Sequence, residues 1–286
     1  MTTVTRQGLL IEPDALSALL DDPTLVLVDV DDAARYQQQH VPGARQLDYP
    51  LLVRQQPPTM GLLPDDGRLR DIVTHLGIDH ASQVVAYDSS GGGKASRLIW
   101  TLACLGLTNT RLLNGGLQGW VADGRAVAQG VDVQTPPGAD DAAATPGALT
   151  PAATSSAYVD RDGVLARLGA PDVTVLDARS PAEYAGIDQR AARPGHIPGA
   201  INLDWTEVRD PARAGRLLPD MQLRTLLASR GVDPDARDRE LIVYCQTHHR
   251  SALLWVMLKH LGFERVRGYV GSWSEWGNDP HVPIET

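Results

Sequence analysis

The run His40-Val41-Pro42-Gly43-Ala44 returns as His196-Ile197-Pro198-Gly199-Ala200, 156 residues further along the chain. Other blocks return with it, in the same order. Val26-Leu27-Val28-Asp29 matches Thr174-Val175-Leu176-Asp177, and Val85-Ala86-Tyr87 matches Ile242-Val243-Tyr244. Leu105-Gly106-Leu107 matches Leu261-Gly262-Phe263, and Gly115 with Trp120 matches Gly271 with Trp276. Five ordered blocks make the chain a tandem duplication, and that decides the architecture.

A chain of 286 residues is long enough for two domains, each with its own core. We place the first at residues 1–133, a linker at 134–153 and the second at 154–286. The linker stretch is rich in Ala, Pro and Gly and holds no aromatic residue, Lys or Arg, as expected of a surface connection. In each half, short β-branched runs alternate with helical stretches. Leu25–Val30, Val84–Tyr87, Val173–Leu176 and Leu241–Tyr244 are continuous apolar runs of strand length, the mark of strands buried on both faces of a parallel sheet. Leu69–Leu76 and Leu223–Ser229 read as amphipathic helices closed by Gly77 and Gly231. Ala252–Leu261 is apolar almost all round and reads as a helix buried against the sheet. The expected class is α/β, a mostly parallel sheet flanked by helices, occurring twice.

Composition narrows the function. The formal charge is −9, which works against nucleic acid or anionic lipid as a partner, so anion chemistry needs a local site. No window approaches the roughly 18 consecutive apolar residues of a membrane helix, and Met1–Arg6 lacks the layout of a signal peptide, so we expect a cytoplasmic protein. Two cysteines, Cys104 and Cys245, cannot build a disulfide framework or a thiolate zinc site. One of them can still be a nucleophile.

In open α/β sheets, ligands bind beyond the carboxyl ends of the strands. There the second half reads Leu241-Ile242-Val243-Tyr244-Cys245-Gln246-Thr247-His248-His249-Arg250-Ser251-Ala252: a strand, a cysteine, a polar loop without acidic residues, then a helix. Backbone N–H groups, the helix N-terminus and Arg250 all favour thiolate over thiol at Cys245. The repeat places Asp88 where Cys245 stands, and a carboxylate cannot accept a sulfane sulfur, so the first half is expected to be catalytically silent and to cover one side of the site.

This strand-Cys-loop-helix unit, the duplication, Asp177-Ala178-Arg179 and Gly195–Ala200 together resemble the tandem-domain rhodanese family of sulfurtransferases, over nearly the whole chain. Cys-Gln-Thr-His-His-Arg-Ser is similar to the active-site loop of a bacterial branch of that family. The resemblance implies thiosulfate sulfurtransferase activity, with Cys245 carrying sulfur as a persulfide between a small-molecule donor and a thiophilic acceptor, cyanide or a thiol, a sulfur-accepting protein included. Gln246, Thr247, His248, His249 and Ser251 would line the persulfide and donor, Arg250 and Arg179 would hold the donor's anionic part, and Asp177 would orient an arginine or the loop. Trp205 has no repeat partner and is a candidate to line the interdomain cleft. No cofactor or metal is called for.

Rival readings are weaker on spacing. Cysteine-dependent phosphatases resemble Cys-x5-Arg, whereas Cys245 and Arg250 enclose four residues. Enzymes of 3-mercaptopyruvate resemble a different loop and carry an arginine near the position of Glu183. His248 and His249 beside Cys245 on one tight loop cannot surround a tetrahedral metal, although they could tune charge near pH 7. Gly91-Gly92-Gly93-Lys94-Ala95 lacks the earlier glycine and the Ser or Thr of a phosphate loop. Cys104, His40, His196, Trp120 and Trp276 read as structural. A non-catalytic regulatory or binding module is the remaining class, and the presence of Cys245 in an intact loop argues against it.

Overall fold

The computed structural model describes residues 8–130 and 156–286. The linker expected at 134–153 and its two boundaries lie outside the described residues. The first half runs β1 (Leu10–Ile11), α1 (Pro13–Ser17), β2 (Leu25–Asp29), α2 (Ala33–Gln38), β3 (Arg45–Gln46), β4 (Arg54–Gln56), β5 (Thr59–Leu62), α3 (Asp66–His75), β6 (Gln83–Tyr87), α4 (Gly93–Cys104), β7 (Thr110–Leu113) and α5 (Gly116–Ala122). The second runs β8 (Tyr158–Val159), α6 (Arg161–Leu165), β9 (Val173–Asp177), α7 (Pro181–Tyr184), β10 (Ile201–Asn202), β11 (Arg209–Asp210), β12 (Arg216–Leu217), α8 (Asp220–Ser229), β13 (Glu240–Tyr244), α9 (Arg250–His260), β14 (Arg265–Tyr269) and α10 (Ser272–Trp276).

The repeat is visible in the sheets. Their strand orders are β1-β7-β6-β2-β3 and β8-β14-β13-β9-β10, the same path twice. Every pairing within them is parallel, which is the α/β architecture the sequence pattern predicts. Asp29 lies beside Tyr87 in one sheet as Asp177 lies beside Tyr244 in the other. Outside these sheets, β4–β5 and β11–β12 form small antiparallel pairs.

Strand side chains alternate between two cores, as the period of two requires. Leu241 and Val243 face a large core shared by both halves, with α4 and α9 packed between the sheets, while Ile242 and Tyr244 face an outer core of the second half. Cys245 continues the inward set and points toward the first half. Val84, Ala86 and then Asp88 follow the same alternation in β6.

Helix boundaries differ by a turn from the apolar pattern. Helix α3 starts at Asp66 because Asp65 caps it, accepting from Arg68 N–H at 2.9 Å. Helix α9 starts at Arg250 rather than Ala252, since its first residues serve the loop before it. The turn histidines repeat as well. His40 stacks on Tyr36 and His196 on Tyr184, with ring centroids 3.8 and 3.7 Å apart. Trp120 and Trp276 are buried, and their indole N–H groups bond Ala126 O and Pro283 O. Cys104 is buried in the shared core.

Candidate active site

Cys245 directly follows β13 with no exposed surface, and the start of α10 fixes its backbone. Its N–H reaches Ser272 Oγ at 3.4 Å, its carbonyl accepts from Trp273 N–H at 2.9 Å, and Gln246 O accepts from Ser274 N–H at 2.9 Å. The loop then turns back on the sulfur. His248 takes a left-handed backbone conformation, φ 52°, uncommon for a side chain of its size and a typical place to find local strain serving a site. His249 N–H comes to 3.3 Å from Cys245 Sγ.

Burial alone pushes the Cys245 thiol up, but the Arg250 charge, the Ser251 hydroxyl and the backbone N–H groups of Ser251 and Thr247 outweigh it and hold the thiol below its ordinary value. With its single proton directed at the sulfur, the Ser251 hydroxyl can meet another polar atom only as an acceptor. His248 Nδ1 lies 2.8 Å from that oxygen, while His248 Nε2 is buried without a partner among the described residues. The tautomer that satisfies this network carries its proton on Nδ1, giving a relay from His248 through Ser251 to the sulfur.

The other expected site residues fall in three groups. Gln246, Thr247 and His249 are partly exposed around the sulfur, and Gln246 Nε2 bonds Arg190 O. Trp205 stands at the junction of the halves, 6.2 Å from the His249 ring, under the guanidinium of Arg209 at 4.2 Å and against Gly93. Arg250 is held on both prongs by Glu183, at 2.6 and 2.8 Å.

Two expectations need correction. Arg179 does not reach the donor's place: it is fully buried, paired with both oxygens of Asp177 and bonded to Gly195 O, with Trp273 across its guanidinium at 4.4 Å. Asp177 is accordingly the partner of an arginine. His248 is fully buried as well, edge-on to Trp100 at 4.3 Å, with Nδ1 facing the Ser251 hydroxyl. Neither histidine tunes charge near pH 7. Burial, with Arg97 and His249 nearby, drives His248 well below the ordinary range, and burial takes His249 down to about 4.

The corresponding loop of the first half is filled from within. Asp88 is buried, and its carboxylate accepts from Ser90 N–H at 2.7 Å, Gly92 N–H at 2.9 Å and Ala95 N–H at 2.9 Å. The loop's own N–H donors are thus taken by the side chain at the position matching Cys245. Lys94 is likewise engaged, with Asp31 at 2.8 Å. Among the described residues no cluster of metal-binding side chains occurs, and no helix is long and apolar enough to cross a membrane.

Sequence reasoning missed two participants. Glu183 was visible only as an acidic residue where an arginine was expected, and its pairing with Arg250 needs the fold. Arg97 is the larger omission. It is fully buried on α4 and reaches across to the Cys245 loop, and the available signal was one charge inside an apolar helix.

Comparison with known proteins agrees with this geometry. The family model of the rhodanese-like domain matches twice, at residues 12–123 and 160–279. The thiosulfate sulfurtransferase of Pseudomonas aeruginosa is 44% identical over 285 residues, covering 100% of both chains. That of Azotobacter vinelandii is 44% identical over 277 residues, covering 97% of each. The crystal structure of YnjE superposes with a TM-score of 0.83 at 22% identity, covering 97% of this chain and 68% of that one, a likeness of fold alone.

Proposed function

The chain belongs to the rhodanese family, and from that membership we propose that it is a thiosulfate sulfurtransferase working through a persulfide on Cys245. The observation that carries the reading is the sulfur's setting: His249 N–H at 3.3 Å and a thiol held below its ordinary value. The Cys245 thiolate attacks the outer sulfur of thiosulfate. A bond forms from Sγ to that sulfur, the bond to the sulfonate sulfur breaks, and sulfite leaves with the electron pair. Cyanide or a thiolate then attacks the outer sulfur of Cys-S-S⁻ and takes it, restoring the thiolate, a two-step exchange with ping-pong kinetics. A protein thiol is one form such an acceptor can take.

Backbone N–H groups of the loop would stabilise the persulfide's terminal sulfur, each contributing about 2–4 kcal/mol in the transition state. Since Cys245 is fully buried, His249 and Trp205 at the junction must make way for the donor. The first half, 1–133 in our division, closes the site without reacting, and a reduced Cys245 suits a cytoplasmic setting. A 3-mercaptopyruvate donor is the second reading, and Glu183 disfavours it by occupying the arginine fork that a carboxylate would need. Intact mass tests the proposal. Thiosulfate should add one sulfur atom, cyanide should remove it as thiocyanate, and Cys245→Ser should stay unchanged; a Cys245→Ser protein that still forms thiocyanate would end the proposal.

A further inference from the structure

Arg97 is a fully buried cation with no carboxylate partner among the described residues. Its fork is spread over backbone carbonyls. Nη2 reaches Gly61 O at 2.9 Å, Leu62 O at 3.2 Å and Leu52 O at 3.4 Å in the first half. Nη1 crosses to the second half, to His248 O at 3.1 Å and Thr247 O at 3.4 Å. The aliphatic and aromatic core surrounds it, with the Trp100 ring 4.8 Å from its central carbon. An isolated charge is costly to bury, so a buried arginine without an acid calls for another source of negative potential.

The peptide linking His248 to His249 supplies the connection. Its carbonyl accepts from Arg97, and its N–H is the one that meets Cys245 Sγ at 3.3 Å. A donor on the carbonyl side polarises the peptide and makes its N–H a stronger donor, so the positive charge is transmitted to the sulfur through one rigid plane. The second bond, to Thr247 O, fixes the neighbouring plane as well.

We propose that Arg97, contributed by the catalytically silent half, is a positioning residue that clamps the Cys245 loop and serves as the buried counter-charge of the thiolate and persulfide. This rests on Cys245 being the sulfur carrier. Tyr49, Cys104 and Cys245 are the groups whose negative forms would favour the Arg97 charge, against a burial that lowers it. Of these, Tyr49 is kept neutral by burial, pushed up to about 12. Cys104 lies two turns further along Arg97's own helix, whereas Cys245 belongs to the loop that Arg97 bonds and has its thiol held below its ordinary value, which makes that thiolate the natural partner. Other charged and titratable groups around the sulfur are Arg250 with Glu183 behind it, His248, His249 and, beyond Tyr49 and His249, Asp88. Both histidines are neutral at pH 7, so the cations around the sulfur are Arg250, which acts on the thiol directly, Arg97 behind the His248–His249 peptide, and Lys94, paired with Asp31.

The test reads the thiol itself, independent of any donor or acceptor. Iodoacetamide alkylation of Cys245 is followed against pH by peptide mass in the full chain, wild type and Arg97→Lys, Arg97→Gln and Arg97→Met. The neutral variants should titrate about one pH unit higher, a roughly tenfold loss of thiolate at pH below the midpoint, while Arg97→Lys stays within a few tenths of wild type. In sulfur transfer the neutral variants should lose kcat and leave the KM for thiosulfate nearly unchanged. A folded neutral variant that titrates like wild type overturns the proposal. So does an Arg97→Lys that shifts as far as Arg97→Gln or fails to fold, since the fork would then be structural only. If the thiol responds as expected but thiosulfate adds no sulfur, the failure belongs to the sulfurtransferase reading instead.

Discussion

Glu183, in the single turn of α7, holds Arg250, the first residue of α9, by two parallel bonds of 2.6 and 2.8 Å. Glu183 is 3% exposed and is itself locked by a capping box with Ser180. Burial raises its carboxyl, but the Arg250 guanidinium beside it more than offsets this and brings it from 4.5 down to about 2. A depressed carboxylate stabilises the fold above its unfolded value, and that stability is lost as pH falls from about 4.5 through 2. Arg250→Met strands the buried carboxylate and should cost about 3–5 kcal/mol. The double variant with Glu183→Gln should recover most of that. Urea midpoints at pH 7 for the three proteins check this.

Glu183→Gln alone tests donor selection. It frees a full positive charge at the mouth of the site while keeping the shape of the partner. The KM for thiosulfate should fall severalfold at low salt and less at high salt, and 3-mercaptopyruvate should gain more than thiosulfate, since its carboxylate would find an open fork. Steady-state kinetics with both donors decide it. Equal effects on the two donors would mean that Glu183 acts on the thiol rather than on the donor's anionic part.

The division between what could be read from the chain and what could not follows from range. Strands β2, β6, β9 and β13 announce themselves because burial on both faces forces unbroken apolar runs, and duplication doubles each signal. Cys245 was legible because strand, loop and helix are contiguous in sequence. Arg179 was misplaced because an arginine two residues after an aspartate can fold back on it, and here it bonds Asp177 rather than solvent or donor. Arg97 and Glu183 act through partners 151 and 67 residues away, a pairing that only the packing of α4 against α9 and the docking of α7 create. A local pattern carries no trace of either.

The buried histidines should make the protein sensitive to acid above the carboxylate range. His249 is brought to about 4 by burial, against 6.5 when unfolded, and burial drives His248 well below 6.5 too. Below pH 6.5 the unfolded chain takes up these protons and the fold does not, so stability rises with pH between about 4 and 6.5. Denaturant unfolding across that range should show it, and His249→Asn should flatten the slope by about one proton. An unchanged slope would mean that the partial exposure of His249 is enough to keep it near its unfolded value.

Asp88 should matter to stability and not to chemistry. Its carboxylate takes three backbone N–H groups, each bond to a charged group contributing about 1.5–3 kcal/mol. Asp88→Asn turns an amide N–H toward donors and should cost about 2–4 kcal/mol in a urea series. Its kcat at pH 8, where His249 is neutral in either case, should stay within about threefold of wild type. A large loss of kcat in a protein of normal stability would give the first half a direct part in the reaction.

Gly61 offers a way to disturb the sulfur site from the first half without touching a charge. It lies in β5, and a methyl group on it would stand 2.4 Å from Thr247 O and 2.7 Å from Thr247 C, backbone atoms that cannot swing aside. Its φ is not in the left-handed region, so alanine is acceptable to the local backbone, and the unfolded chain loses entropy in favour of folding by about 0.4–1 kcal/mol. The steric push must therefore be taken up between the halves, where Gly61 O and Thr247 O share Arg97 as donor. Gly61→Ala should retain its fold while kcat drops at least tenfold, because His249 N–H moves with the loop off its 3.3 Å approach to Cys245 Sγ. Gly67→Ala, in the first turn of α3 with only Asp65 Oδ1 at 3.4 Å from the added methyl, is the matched control and should behave as wild type. Equal activity in the two alanine variants would show that the loop's position is set entirely within the second half, by α10 and the strand it follows.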